Sequence, residues 1–242
     1  MNRTFVVGDI HGALRALQQL ISRINPVADD KFILLGDYVD GWPESAQVIE
    51  FLLELQKQYS CVFIKGNHDL DCELWLEDKQ PKASWLERKG LATLQSYQQL
   101  SPEIKASHFR FLSQLPLFHI DEQERLFLHA GFTNNNGPLH ERPQENLTLD
   151  RSLWELALTM DKRVASNPGL YPKRLKLFKQ VFIGHTPTLI QNSEYPMWAC
   201  NVCNMDTGAG YFGKLSAMEV NSGEVIQSDP VPDLYPGLKG RM

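Results

Sequence analysis

The feature that most constrains this chain is a short apolar run followed at once by glycine and by carboxylate, amide or imidazole side chains. The first instance is Phe5-Val6-Val7, which leads into Gly8-Asp9-Ile10-His11. Four later apolar runs lead into comparable stretches, which are Gly36-Asp37-Tyr38-Val39-Asp40, Gly66-Asn67-His68-Asp69, His129-Ala130-Gly131 and Gly184-His185-Thr186. Ligands of open α/β sheets bind beyond the carboxyl ends of the strands. The recurrence therefore predicts that these polar side chains meet at one site.

The first third of the chain alternates between strand and helix patterns. Strands are predicted over residues 3–7, 31–35 and 61–65, and helices over 12–24 and 45–59, where apolar residues recur at helical spacing. This β-α-β-α-β order predicts a largely parallel sheet with right-handed crossovers.

The rest of the chain is predicted to contain a helical segment followed by a segment of strands with one helix. Residues 70–115 show only helical patterns and are predicted to form a helical insertion. Beyond it we predict strands at 117–120, 125–129 and 180–184, a helix from about 149 to 164, several short strands within 197–228 and an irregular segment after Asp229. At 242 residues the chain is expected to form a single domain over 1–242.

Composition excludes several classes of protein. A net charge of -5 offers no basic surface for nucleic acid, and no apolar run approaches the length of a membrane span. The chain enters a strand at once, which leaves no room for a signal peptide, so a cytoplasmic protein is expected. Cys200 and Cys203 have the spacing of a redox or zinc pair, but no second pair accompanies them, and reduced thiols are the main expectation, with a redox pair as the alternative.

Six side chains beyond the strand ends could bind metal, and they are Asp9, His11, Asp37, Asn67, His129 and His185. One ion can hardly use all six, whereas two ions can if a carboxylate bridges them. Asp37 suits the bridge because a carboxylate has two oxygens and an imidazole offers one nitrogen. The mixed ligand set favours manganese first, with iron or zinc as alternatives, and two such ions suit displacement at phosphorus.

In order and spacing, the five stretches resemble the calcineurin-like metallophosphoesterases, and within them the phosphoprotein phosphatase branch with its compact bacterial members. The resemblance runs from residue 4 to about 216. It implies an α/β sandwich of two mixed sheets flanked by helices, with Asp9 and His11 on the first metal, Asp37 bridging, and Asn67, His129 and His185 on the second. It further implies attack by a metal-bridging hydroxide, with His68 as the general acid and Asp40 orienting it.

The sequence departs from this family at one position. The second block of the family continues Asp-Arg-Gly, and its Arg grips the substrate phosphate, whereas this chain reads Asp40-Gly41-Trp42. Arg151 is the predicted replacement, with Asn67 also placed at the substrate, and the alternative for Arg151 is a helix-surface residue paired with a nearby Glu. Trp42 is either an aromatic floor for substrate or a core residue.

The resemblance predicts a phosphomonoesterase acting on phosphoserine or phosphothreonine in proteins, or on a small phosphoester. Two alternatives remain open, a hydrolase of dinucleoside polyphosphates and a non-catalytic binding scaffold of the same fold. Structural or surface roles are expected for His108, His119 and His140. Asp69 is expected to stabilise the helix that follows it, and Asp206 to support the metal site without ligating.

Overall fold

The computed structural model describes residues 3–78, 80–160, 164 and 169–241, and the strands within these ranges form two five-stranded sheets. The first sheet contains β1 (Thr4–Val7), β2 (Lys31–Leu34), β3 (Ser60–Phe63), β9 (Ser216–Glu219) and β10 (Val225–Gln227). The second contains β4 (Phe118–Ile120), β5 (Arg125–Leu128), β6 (Gln180–Ile183), β7 (Met197–Ala199) and β8 (Val202–Asn204).

Both sheets are mixed, with a parallel centre. The first has the order β10-β9-β1-β2-β3, in which β1, β2 and β3 are parallel and β9 runs antiparallel to β1. The second has the order β4-β5-β6-β8-β7, in which β5, β6 and β8 are parallel. Parallel strands direct their carboxyl ends to the same edge, so each sheet delivers its following loops to one side.

Helices cover the outer faces and build the insertion. They are α1 (Leu14–Ile24), α2 (Ser45–Gln58), α3 (Asn67–Asp78), α4 (Ala83–Trp85), α5 (Leu91–Ser96), α6 (Pro102–Ser113), α7 (Asn146–Leu149), α8 (Ser152–Thr159) and α9 (Val231–Leu234), with a π-helical turn over Leu86–Gly90. Local sequence explains several ends. The hydroxyl of Ser101 accepts from the Ile104 amide ahead of Pro102, and Asn25 ends α1 in the left-handed region.

The two sheets pack face to face through apolar side chains. Phe127 and Phe182 stack with ring centroids 5.0 Å apart between Val6, Ile33 and Met205, all buried. Helices α1 and α2 cover the other face of the first sheet, and α8 covers that of the second. The predicted sandwich of two mixed sheets flanked by helices is therefore confirmed.

Most predicted boundaries lie within two residues of those in the structure, and two segments differ by more. The helix predicted from about 149 to 164 is broken, because Asp150 is extended and its carboxylate accepts from the amides of Ser152 and Leu153, the first two residues of α8. Residues 161–163 of that prediction lie outside the described ranges. The segment after Asp229 contains the short helix α9 rather than being wholly irregular. None of the helices in the described ranges has the length and apolarity needed to cross a membrane.

Candidate active site

The loops beyond five strands bring the six candidate ligands together. Asp9 and His11 follow β1, Asp37 follows β2, and Asn67 begins α3 beyond β3. From the second sheet come His129 after β5 and His185 after β6. His185 is half-buried and the other five are buried.

Asp37 lies at the centre of this group. Its Oδ2 is 3.6 Å from Nε2 of His11 and 3.4 Å from Nε2 of His129, while its Oδ1 accepts from the backbone amide of His68 at 3.0 Å. In the described residues, two sets of donors lie within 4.8 Å of one another, His11 with Asp37 and His68, and Asp37 with His129 and His185. One carboxylate thus belongs to both sets, as a bridging ligand must.

Asp9 and Asn67 complete the two halves. Oδ2 of Asp9 is 3.9 Å from Nε2 of His11 and accepts from the His185 amide at 3.1 Å. Oδ1 of Asn67 lies 3.2 Å from Nε2 of His129. All six candidate ligands are therefore linked through neighbours within 4.8 Å.

Backbone carbonyls orient the two buried imidazoles. Nδ1 of His11 is 3.2 Å from the Val39 carbonyl, and Nδ1 of His129 is 2.9 Å from the Leu35 carbonyl. A carbonyl can only accept, so each Nδ1 carries a proton and donates, which leaves Nε2 as the ring nitrogen that faces Asp37. Metal-ligating histidines are held by such contacts.

Two glycines allow the carboxylates to approach the loops. A Cβ on Gly66 would lie 2.2 Å from Oδ1 of Asp37, and one on Gly184 would lie 2.0 Å from Oδ1 of Asp9. Side chains are excluded at both positions, which explains why glycine recurs at these junctions.

The site also holds residues in an uncommon backbone conformation. His11, Asp37, Asp40 and His185 all have positive φ, between 52° and 70°. Non-glycine residues rarely occupy this region, and where they do the surrounding structure must enforce it, often at functional sites.

Burial and close contact between carboxylates and imidazoles shift the pKa values of this site. Burial, together with the neighbouring carboxylate of Asp206, raises the pKa of Asp9 well above its usual value, and burial raises that of Asp206 to about 6. Burial alone would lower the pKa of His129, but the carboxylates of Asp37 and Asp9 raise it to about 10. Burial and the nearby His129 lower the pKa of His185 to about 3. Divalent ions would neutralise the carboxylates and use the lone pairs of the imidazoles, so the residues fit a metal centre.

Beside this cluster, His68 and Asp40 form a buried pair. Nδ1 of His68 is 2.5 Å from Oδ2 of Asp40, so Nε2 is the ring nitrogen that Asp40 does not engage. The insertion holds Asp40 in place, since the indole N–H of Trp85 donates to Oδ2 at 2.7 Å and the hydroxyl of Thr93 donates to Oδ1 at 2.5 Å. Sequence reasoning assigned Trp85 to the helical core and did not single out Thr93, because their spacing carries no sign of this distant partner.

A cavity of about 760 Å³ opens from the site. Asn67, His68 and His185 line this cavity, as does Arg151, which is exposed at the start of α8. Arg241 lines the same cavity and was missed by the sequence analysis, because the segment that carries it shows no motif.

Other predicted residues fall into structural roles. Trp42 is buried and stacks on Tyr235, so it is a core residue and not a substrate floor. Asp69 does more than stabilise a helix: its carboxylate accepts from the amides of Asp37, Tyr38 and Gly66 and thereby holds the loop that carries Asp37.

The remaining histidines and cysteines lie apart from the cluster. His108 is buried with Nδ1 at 2.9 Å from the Tyr97 hydroxyl, His119 is half-buried and His140 is exposed. Cys200 and Cys203 are free thiols, and burial raises the pKa of Cys203. A low pKa is what a reactive thiol needs, so Cys203 has the character of a structural residue.

Comparison with known proteins agrees with this geometry. The family model described as calcineurin-like phosphoesterase matches residues 3–212. The asymmetrical bis(5'-nucleosyl)-tetraphosphatase PrpE of Anoxybacillus flavithermus is 24% identical over 244 residues, which cover 96% of this chain and 94% of that protein. The protein of the same name from Bacillus anthracis is 27% identical over 249 residues, with the same coverage.

Two solved structures share the fold. One, assigned provisionally as a diadenosine tetraphosphatase, has a TM-score of 0.64 at 22% identity and covers 93% of this chain and 92% of that one. A protein serine/threonine phosphatase from Saccharomyces cerevisiae has a TM-score of 0.62 at 15% identity and covers 99% and 82%. The family model spans most of the sequence and the fold is shared along nearly its whole length, so this chain belongs to the calcineurin-like phosphoesterase family.

Proposed function

We propose that this protein is a dimetal-dependent hydrolase of dinucleoside polyphosphates. The observation that carries the proposal is the cavity beside the ligand cluster, whose volume of about 760 Å³ far exceeds what one phosphate group needs and lies within the range of small-molecule sites. The relatives of similar length, which align over 96% of this chain, are named as tetraphosphatases of this substrate class.

The lining of the cavity suits a substrate with an anionic chain and flat, partly apolar ends. Arg151 and Arg241 supply guanidinium groups, whose planar fork pairs with two phosphate oxygens. Tyr211 and Phe212 line the same cavity, and 69% of Phe212 is exposed. Exposed aromatic rings can stack with nucleobases.

In this proposal Asp9, His11 and Asp37 hold one ion, while Asp37, Asn67, His129 and His185 hold the other. Two divalent ions bound there would supply Lewis-acid activation of water and neutralise phosphate oxygens. Manganese stays the first expectation for their identity.

The chain's own residues complete the reaction. His68 donates a proton from Nε2 to the leaving oxygen, and Asp40 fixes the ring by accepting from Nδ1. Arg151 binds phosphate oxygens in the cavity wall.

The serine/threonine phosphatase expected first from the sequence is the less supported of the two hydrolase interpretations, since the relatives favour the polyphosphate alternative. The non-catalytic scaffold is disfavoured by the converging ligands and by the buried His68–Asp40 pair, which a binding module does not need.

The test compares substrates on one preparation. Metal-loaded protein is incubated with diadenosine tetraphosphate and with a phosphoserine peptide, and nucleotides and phosphate are separated by chromatography. We expect kcat/KM at least about 100-fold higher for the dinucleotide, with AMP and ATP as products, and no turnover with EDTA. Faster release of phosphate from the peptide would overturn the proposal.

A further inference from the structure

The C-terminal segment, residues 231–241, is fastened beside the cavity by an aromatic anchor. The ring of Tyr235 stacks on Trp42 with centroids 4.9 Å apart and is buried. Its hydroxyl accepts from the backbone amide of Arg15 at 3.0 Å and donates to the carboxylate of Glu44. The segment therefore has a fixed path over Trp42.

This path ends with Arg241 inside the cavity. Its backbone amide donates to the Gly210 carbonyl at 2.7 Å, its guanidinium lies 5.1 Å from the ring centroid of Tyr211, and its Nη1 lies 2.9 Å from Nε2 of His11. In the described part of the chain these contacts of Arg241 are to a carbonyl, an aromatic ring and an imidazole, and the carboxylate of Asp206 attracts its charge without a hydrogen bond or ion pair between them. A guanidinium that lines a cavity and is not paired directly with a carboxylate is available to an anionic ligand.

Arg241 also fills the space that Gly41 leaves. A Cβ on Gly41 would lie 3.2 Å from Cγ of Arg241, and Gly41 has a φ of +97°, which side chains rarely adopt. The backbone at position 41 therefore disfavours a side chain, while an arginine from the other end of the chain lies against it.

The contact with His11 indicates where the guanidinium of Arg241 lies when the site holds metal. Nε2 of His11 has one lone pair, which cannot serve a divalent ion and a guanidinium together. A divalent ion on His11 would also repel the positive charge. With the site loaded, the arginine must turn from Nε2 on its tethered backbone, and the cavity is the space that its side chain already lines.

We propose that Arg241 is a phosphate-binding residue, contributed by the C-terminal segment to the substrate site. The inference rests on the proposed phosphoester hydrolysis for its substrate class, and it deepens that function by assigning a second guanidinium next to Arg151. The charge and the planar fork of arginine match two oxygens of one phosphate group.

The experiment measures binding of inorganic phosphate, so that it does not depend on turnover. Orthophosphate is titrated calorimetrically into the metal-loaded full chain, as wild type, Arg241→Ala, Arg241→Lys and Lys239→Ala. Lys239 is exposed on the same segment and controls for net charge. Metal content is measured for each variant, and the Tyr235 anchor keeps the segment attached in all of them.

We expect Arg241→Ala to weaken phosphate binding by about tenfold or more at unchanged metal content, Arg241→Lys to lose less, and Lys239→Ala to stay within twofold of wild type. Equal phosphate affinity in Arg241→Ala and Lys239→Ala would overturn the inference. So would tighter metal binding by Arg241→Ala with unchanged phosphate affinity, which would identify Arg241 as a competitor of the ion.

The same titration separates this inference from the proposed function. If wild type fails to cleave diadenosine tetraphosphate while Arg241→Ala still loses phosphate affinity, the function is wrong and the phosphate-binding role stands. If wild type cleaves the dinucleotide and the variant binds phosphate normally, the function stands and Arg241 is not its phosphate ligand.

Discussion

His68 and Asp40 are joined by a 2.5 Å contact between Nδ1 and Oδ2, and both side chains are buried. The carboxylate fixes the ring tautomer and leaves Nε2 for the leaving oxygen. Asp40 is in turn held by two donors from the helical insertion, the indole of Trp85 and the hydroxyl of Thr93. The insertion is thereby connected to the chemistry, although the candidate metal ligands lie outside it.

The first prediction concerns the proton donor. His68→Asn should lower kcat by roughly 10²–10⁴ at unchanged metal content, because protonation of the leaving oxygen contributes about that factor. Asp40→Asn should lower it less, since the ring keeps its place but loses its charged partner. Steady-state kinetics and elemental analysis check both variants, and normal turnover by His68→Asn would contradict the assignment.

The second prediction concerns the insertion. Trp85→Phe removes the N–H that donates to Asp40 and keeps most of the apolar ring, so kcat should fall about tenfold while KM and metal content change little. Trp75→Phe is the matched control, because Trp75 packs 5.7 Å from Trp85 in the same cluster. Equal losses in the two variants would mean that only packing had been disturbed.

The sheets, and the meeting of polar side chains beyond their strand ends, could be predicted from the sequence because both depend on local patterns. Apolar runs show where the strands lie. A polar residue that directly follows a strand lies at the end of that strand, so its position in the sheet is nearly fixed. The roles of Trp85, Thr93 and Arg241 depend instead on tertiary contacts over 45, 53 and 230 positions, which no periodicity records. The break at Asp150 was open to prediction, since an aspartate just ahead of a helical pattern often accepts from the first amides of a new helix.

The third prediction concerns proton release on metal binding. The pKa of His129 is raised to about 10 by the carboxylates of Asp37 and Asp9 despite its burial, so in the metal-free protein His129 holds a proton at neutral pH that must leave when an ion binds. Manganese affinity should therefore increase about tenfold per pH unit between pH 6 and 8 for each proton displaced. Calorimetry in two buffers of different ionisation enthalpy counts the protons. His140→Gln, which alters an exposed histidine, should leave the count unchanged, and a pH-independent affinity would exclude this linkage.

The last prediction concerns acid stability and the buried His108. Burial lowers the pKa of His108 in the folded protein to about 4, whereas an unfolded histidine has a pKa near 6.5. Between these values the unfolded chain binds a proton that the folded chain does not, so stability is present above pH 6.5 and is lost as the pH falls toward 4. At pH 5 the loss from this residue should be about 2 kcal/mol relative to pH 7.5. Urea denaturation at pH 5 and pH 7.5 measures this loss of unfolding free energy. The loss should be smaller in His108→Gln, which removes the titrating group, and unchanged in His140→Gln. An undiminished acid loss in His108→Gln would show that other groups account for it.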